Sequence, residues 1–316
     1  MTAPVGAGGV LLLSHRACLG HDMGEGHPEC PERLLAVLQA LEAQAFSHLA
    51  RAEAPAATRE QLARVHPLAY VDAILAIRPE PGELVALDGD TRMSTGSAEA
   101  ALRAAGAGVA AVDAVLGGEA LRAFCAVRPP GHHCEPRRPM GFCLFASAAV
   151  AARHAQAAHG LGRVAVVDFD VHHGNGTQAV FERDASVFFA SSHQMPLYPG
   201  TGSPRERGVG NVVNVALPPG SGSAEFRGAW SAHILPALED FAPELLLVSA
   251  GFDAHARDPL AQLRLAESDF EWITLALCDV ARRVCGGRVV SLLEGGYDLA
   301  ALARSSAVHV RALMEG

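Results

Sequence analysis

Residues 168–176 read Asp168-Phe169-Asp170-Val171-His172-His173-Gly174-Asn175-Gly176 and follow directly on the apolar run Arg163-Val164-Ala165-Val166-Val167. That run has the marks of a buried strand, apolar and β-branched without polar alternation. A core strand does not end in carboxylates and imidazoles for nothing. Desolvating an unpaired charge is costly, or shifts its pKa until it is neutral. Something must meet these side chains at the strand end, and the rest of the chain decides what.

Comparable runs recur, each followed by a polar cluster. Phe124–Val127 leads into Arg128-Pro129-Pro130-Gly131-His132-His133, and Val187–Ala190 into Ser191-Ser192-His193. Leu245–Ala250 leads into Gly251-Phe252-Asp253-Ala254-His255, and Arg288–Leu293 into Glu294-Gly295-Gly296-Tyr297-Asp298. Gly9–His15 and Asn211–Leu217 read as further strands. Between the strands lie helical stretches: Pro31–Gln44, Ser94–Leu116 begun by a Ser or Thr cap, Cys143–His159, Ala224–Asp240, Glu267–Cys285 and a C-terminal helix. Strand–helix alternation predicts an α/β fold with a mainly parallel central sheet covered by helices on both faces. No repeat, linker or composition break divides residues 1–316, so the chain reads as a single domain. In such sheets ligands bind outside the carboxyl ends of the strands, where all five clusters fall.

Half of the residues are hydrophobic but only 5% aromatic, so the core is built mainly from Ala, Leu and Val. A formal charge of -9 without a Lys/Arg block argues against nucleic-acid binding. No apolar stretch approaches membrane-spanning length, and the N-terminus lacks the cationic segment of a signal peptide. The seven cysteines are odd in number and show no CxxC spacing, so they predict neither a disulfide framework nor a thiolate metal site. These features predict a soluble cytoplasmic protein with no membrane partner.

Asp168, Asp170 and His172 stand at alternate positions, which in extended conformation share one face. The carboxylates could simply cap backbone amides. With His172 added, the oxygen and nitrogen donors suit Zn²⁺, and Asp253 could complete a three-ligand site that leaves room for water and substrate. The prolines of Arg128–His133 end their strand, and Gly131 permits a tight turn presenting two imidazoles for acid–base work. Asp168 or Asn175 could fix their tautomers. Tyr297, behind two glycines, could donate to a developing oxyanion or merely be anchored in the core. His255 is equally compatible with a structural role.

Taken in order, HPECPERL, LDGDTRMS, RPPGHH, GFCLF, DFDVHHGNGTQ, YPGTG, GFDAH and EGGYD resemble the histone deacetylase family, in its class II-like bacterial branch, over nearly the full length. The resemblance implies the arginase/deacetylase-like α/β fold and one catalytic zinc held by Asp170, His172 and Asp253. It makes His132 and His133 the acid–base pair, with Asp168 and Asn175 as their partners, and Tyr297 the electrophilic tyrosine. Phe142 and Tyr198 would wall an acyl-lysine tunnel beside Gly141, Leu260 would stand at its rim, and Asp90 would bind substrate backbone amides. A structural K⁺ is implied near Asp168, Asp170, His172, Ser191 and Ser192, held partly by backbone oxygens, and Arg33 would lie below the zinc. Two positions depart from many relatives. Asn175 replaces the aspartate of class I members, so a neutral amide faces His133. Tyr198 replaces a phenylalanine.

The expected activity is zinc-dependent hydrolysis of an acyl-lysine amide in a protein or peptide. The runner-up is an acetylpolyamine amidohydrolase. Against it, polyamine-selective relatives carry Glu where this chain has Leu260, and HPECPERL lacks the residues that narrow their entrance. An arginase-like ureohydrolase with two Mn²⁺ ions is disfavoured because Asp253-Ala254-His255 supplies too few carboxylates. A non-catalytic acyl-lysine-binding module is disfavoured by the intact Tyr297 and histidine pair. The sequence leaves a homo-oligomer open.

Overall fold

The computed structural model describes residues 9–316, so the reading of the extreme N-terminus lies partly outside the described residues. The first half of the chain forms β1 (Val10–Ser14), α1 (Pro31–Ala40), β2 (Ala50–Glu53), α2 (Arg59–Leu62), α3 (Leu68–Ala76), β3 (Val85–Ala86), β4 (Arg92–Met93), α4 (Ser97–Leu116), β5 (Arg122–Cys125) and α5 (Ser147–His159). The second half forms β6 (Val164–Asp168), α6 (Asn175–Phe181), β7 (Val187–Gln194), β8 (Val212–Leu217), α7 (Ser223–Ala229), α8 (Leu235–Phe241), β9 (Leu245–Ala250), α9 (Glu267–Cys285), β10 (Val289–Leu293) and α10 (Leu299–Glu315).

Eight strands form one sheet in the order β2-β1-β5-β10-β9-β6-β7-β8, and every adjacent pair is parallel. β3 and β4 make a separate antiparallel hairpin. Helices α4 and α5 pack on one face of the sheet, and α9 and α10 on the other, with α1 against α10 and α8 against α9. The five strands that end in polar clusters, β5, β10, β9, β6 and β7, are contiguous, so the clusters meet along a single edge.

Four expected helices differ in extent. α1 ends at Ala40 rather than Gln44, which belongs to a separate 3₁₀ turn. α4 begins at Ser97 rather than Ser94, on Gly96, which has no side chain to cap it; Ser94 stays outside the helix, its amide donating at 2.8 Å to the Ser97 hydroxyl, which also pairs with His21 Nδ1 at 2.7 Å. The stretch expected as one helix over 224–240 is interrupted by a π turn at Trp230–Ile234. Pro236 follows at once and has no N–H to give the Ala232 carbonyl, so a wider turn relieves the mismatch. Residues 143–146 are not helical. Ala146 donates its amide to His66 Nε2 at 3.0 Å, and this strap runs so close to Gly131 that a Cβ there would lie 2.7 Å from the Ser147 nitrogen.

The interior also buries polar groups. Glu29 accepts from Arg128 Nε at 2.5 Å and Nη2 at 2.6 Å, and from Arg33 Nη1 at 2.9 Å. Burial alone would raise the Glu29 pKa, but Arg128, His21 and Arg33 bring it down to about 2. Losing one member would leave a buried charge uncompensated, which is strongly destabilising.

His66 and His309 are buried neutral. His66 lies between the Pro136 carbonyl and the Ala146 amide, and His309 between the Thr274 and Ser291 hydroxyls. Burial lowers their pKa values from 6.5 to about 4 and about 3. The unfolded chain therefore takes up protons first as the pH falls. The stability from these two residues is whole above about pH 6.5 and is lost on acidification through about 4 and 3, a few kcal/mol each in rough terms. Calorimetry should show Tm falling steadily from pH 7 to 5; a flat profile would contradict the buried neutral state.

Candidate active site

β6 ends at Asp168, and the chain then bends instead of continuing extended. The bend separates residues that alternate spacing would have placed together. Asp168 turns one oxygen to the Asp170 amide at 3.0 Å and the other to His132 Nδ1 at 2.9 Å. Asp170 and His172 instead converge with Asp253 from the end of β9. Asp170 Oδ1 and Asp253 Oδ2 each lie 3.1 Å from His172 Nδ1. Their other oxygens are pinned by backbone: the Gly295 amide donates to Asp170 Oδ2, and the Val171 amide to Asp253 Oδ1, both at 2.8 Å. Glycine is required at Gly251 and Gly295, since a Cβ at either would overlap one of these carboxylates.

All three groups are buried. Burial, and then the charge of Asp170, push the Asp253 carboxyl up from its ordinary value. Burial alone would lower the His172 pKa, but Asp170 and Asp253 raise it to about 10. The pocket thus calls for positive charge at the shared point. Two carboxylate oxygens and one imidazole nitrogen, with ligand atoms within 4.8 Å of one another, fit a zinc ion with an open coordination position.

A second cluster, Asp113, His154 and His159, joins α4 to α5. There, His154 Nδ1 accepts from Arg64 Nη1 at 2.5 Å, so Nε2 carries the proton and donates to Asp113 at 2.7 Å. That arrangement is a tie between helices, with no lone pair on His154 for a metal.

The His132 and His133 rings are 4.0 Å apart between centroids. Each Nδ1 has its own partner, Asp168 for His132 and Asn175 Oδ1 for His133, the latter at 2.8 Å. Burial would lower the His132 pKa, but Asp170 and Asp168 hold it well above the usual imidazole value. Burial lowers His133 well below that value, and the charges of His132 and His172 lower it further. Adjacent imidazoles are thereby pushed apart, the pattern expected of an acid–base site.

A cavity of about 230 Å³ opens over this cluster, lined by Asp90, His133, Gly141, Phe142, His172, Leu197, Tyr198, Leu260 and Tyr297. Gly141 and Phe142 both have left-handed backbone, φ 56° and 70°. A Cβ on Gly141 would strike the His133 ring. At Phe142, where positive φ is strained, the amide is held by Thr91 Oγ1 at 3.0 Å. Tyr198 stands edge-on to His133, with ring centroids 5.1 Å apart. Tyr297 lies under Arg33, whose guanidinium carbon is 4.8 Å from the ring centroid. Arg33 Nε also donates to the Gly296 carbonyl at 2.6 Å. His255 does not line this cavity and pairs with Glu267 at 3.5 Å, a structural role.

A histone deacetylase domain matches residues 27–313. The chain belongs to the histone deacetylase family. It is 41% identical over 324 residues to histone deacetylase 14 (chloroplastic) of Arabidopsis thaliana, covering 96% of this chain and 76% of that protein. It is 44% identical over 279 residues to the histone deacetylase-like amidohydrolase of Pseudomonas aeruginosa, covering 86% and 73%. The human polyamine deacetylase HDAC10 is 38% identical over 325 residues, 97% of this chain and 48% of that protein. The crystal structure of the HDA15 HD domain superposes with a TM-score of 0.91 at 34% identity, covering 98% of this chain and 89% of that one. This deacetylase-family member is therefore a hydrolase of acetylated amides, and zinc dependence is a property of its family.

Sequence reasoning missed several residues that shape the site. Leu197 lines the cavity, one residue before the YPGTG motif. Thr91, inside LDGDTRMS, holds the Phe142 amide. Asp258 accepts from the Tyr297 amide at 2.7 Å and from the Leu260 amide at 3.0 Å, joining the rim to the tyrosine. Glu135 accepts from Asn175 Nδ2 at 3.0 Å. None has a local signal for this role, because Thr91, Glu135 and Asp258 each hold a group distant in sequence: the Phe142 amide, the Asn175 side chain and the Tyr297 amide.

Gly295→Ala should displace the Asp253 and Asp170 carboxylates while leaving the sheet intact. Zinc affinity, measured by competition with a chromophoric chelator, should fall about 10–100-fold together with turnover. Unchanged affinity would show that these carboxylates do not form the metal site.

Proposed function

We propose that this deacetylase removes acetyl groups from lysine side chains of proteins or peptides, with acetylated polyamines as lesser substrates. The observation that carries the choice is Leu260 on the cavity wall. An acetylated polyamine such as N8-acetylspermidine has a cationic amine four methylenes beyond the acetamide, and an apolar Leu260 gives it no counter-charge. Asp90, which also lines the cavity, is half-buried; Oδ1 accepts from the Thr91 hydroxyl at 3.2 Å, and Oδ2 would accept from the amides of a peptide backbone.

Asp170, His172 and Asp253 would hold one zinc, which when bound polarises the acyl carbonyl and acidifies the attacking water. Of the histidine pair only His133 lines the cavity. Its depressed pKa keeps it neutral, and with Nδ1–H directed at Asn175 its Nε2 lone pair faces the substrate. His133 takes the water's proton and passes it to the departing lysine amine. His132, protonated against Asp168 and Asp170, keeps His133 from holding that proton too tightly. The Tyr297 hydroxyl donates to the carbonyl oxygen as negative charge develops on it. Phe142 and Tyr198 flank the alkyl chain and exclude water.

For the K⁺ site, support comes from Asp168 and Ser191, which are register neighbours across β6 and β7. The Ser191 hydroxyl pairs with His193 and that of Ser192 accepts from Trp230, so backbone oxygens would supply much of the coordination. The seven cysteines are all free, which fits a reducing compartment such as the cytoplasm.

Tyr297→Phe should lower kcat by roughly 10²–10³ with little change in KM, as for loss of one oxyanion donor. Steady-state kinetics on a fluorogenic acetyl-lysine peptide gives the answer, and a variant within a fewfold of wild type removes Tyr297 from the reaction.

The substrate is tested by kcat/KM for an acetyl-lysine peptide and N8-acetylspermidine side by side. The wild type should favour the peptide, and Leu260→Glu should narrow or reverse the ratio. Preference for the polyamine, unaltered by Leu260→Glu, would overturn the reading.

A further inference from the structure

The partner of His133 is an amide, and an amide has two faces. Asn175 Oδ1 lies 2.8 Å from His133 Nδ1, so the ring nitrogen there must donate. Turned over, the same side chain would present its NH₂ group, which can only donate. His133 Nδ1 would then have to accept, the ring proton would move to Nε2, and the nitrogen facing the cavity would lose its lone pair. Nothing intrinsic to Asn175 prefers one orientation, so a third group must set it.

That group is Glu135. Its Oε1 accepts from Asn175 Nδ2 at 3.0 Å, and Met140 Sδ, a weak acceptor, lies 3.4 Å from the same nitrogen. A carboxylate has acceptors only, so the flipped amide would set oxygen against oxygen at this distance. Glu135 is itself fixed two residues after His133. Its amide donates to the Arg138 carbonyl at 3.0 Å and its carbonyl accepts from the Arg138 amide at 3.3 Å, closing a tight turn. The histidine turn also holds the other end of the relay: the Gly176 and Thr177 amides donate to the His132 carbonyl at 3.0 and 3.2 Å, placing the start of α6 against it.

We infer that Glu135 is a positioning residue that orients the Asn175 amide and so fixes His133 as the Nδ1–H tautomer, with its Nε2 lone pair open to the substrate. The inference rests on the deacetylase reading only in assigning His133 as the base. It predicts an interdependence: an acceptor at 135 requires an amide at 175, whereas a donor at 135 requires a carboxylate there.

The test is a double-mutant cycle. Glu135→Lys would donate to Asn175 Oδ1 and turn the amide over. It should lower kcat on an acetyl-lysine peptide at least about 10–100-fold, with KM within a fewfold of wild type. Asn175→Asp alone would set two carboxylates against each other and should also lower kcat. Combining the two should recover most of the lost activity, because an aspartate can accept from both the introduced ammonium and His133 Nδ1. If Glu135→Lys does not fold, Glu135→Ala with and without Asn175→Asp makes the same comparison. The second readout needs no turnover: long-range ¹H–¹⁵N spectra of the metal-free protein should show His133 as the Nδ1–H tautomer, moving towards Nε2–H in Glu135→Lys. Wild-type kcat in Glu135→Lys, no recovery in the double variant, or an Nε2–H His133 in the wild type would each overturn the inference. Failure of the zinc-loaded wild type to cleave acetyl-lysine would instead overturn the deacetylase reading and leave the tautomer measurement to judge Glu135.

Discussion

Two buried carboxylates, Asp170 and Asp253, are brought to one imidazole nitrogen, and the strand ends around them are shaped to hold them there. Like charges at this separation in a low-dielectric interior repel strongly unless a cation or protonated group lies between them. The chain answers with backbone. Amides of Val171 and Gly295 pin one oxygen of each carboxylate, and the two glycines remove every Cβ that would push the pair apart. What remains is a focused negative site with one imidazole, which a dication satisfies better than any side chain.

The field of this cluster sorts the histidines. His132 lies 3.8 Å from Asp170 Oδ1 and against Asp168, so it retains a proton. His133, one residue further along the same turn, faces a neutral amide and lies beside two other imidazoles, so it gives its proton up. Asn175 matters here because a carboxylate in its place would favour the charged ring.

Behind the chemistry stands a second buried ion network. Arg33 reaches from α1 to the carbonyls of Glu294 and Gly296 and covers the Tyr297 ring, while Glu29 ties it to Arg128 at the end of β5. Glu294 in turn accepts from the Gly131 and His132 amides at 2.6 and 3.1 Å. The loop carrying the tyrosine and the turn carrying the histidines are thus set by the same charged groups. Such a network contributes little net stability, because desolvation offsets the pairing. Its effect is geometric, holding groups from β5 and β10 in register.

The sequence by itself determined seven of the eight sheet strands and the type of chemistry; the edge strand β2, whose residues alternate between half-buried and exposed, and the β3–β4 hairpin lack the apolar run that marks the others. Apolar runs without alternation mark two-sided burial, and polar clusters after five of them mark a carboxyl edge, both being local patterns. The resemblance to a known family, rather than any local pattern, named the residues that line the cavity, apart from Leu197. The tertiary structure alone decided which clusters meet. The order β5-β10-β9-β6-β7 places sequence-distant ends side by side, and strand order comes from packing across the whole chain. It also decided that Asp168 serves His132 while Asp170 serves the metal cluster. Alternation predicts one face only while a strand continues, and here the backbone bends as soon as Asp168 accepts from the Asp170 amide. Thr91, Glu135 and Asp258 were invisible for the same reason. Each is an ordinary polar residue in a loop, and only folding supplies the amide or side chain that gives it a function.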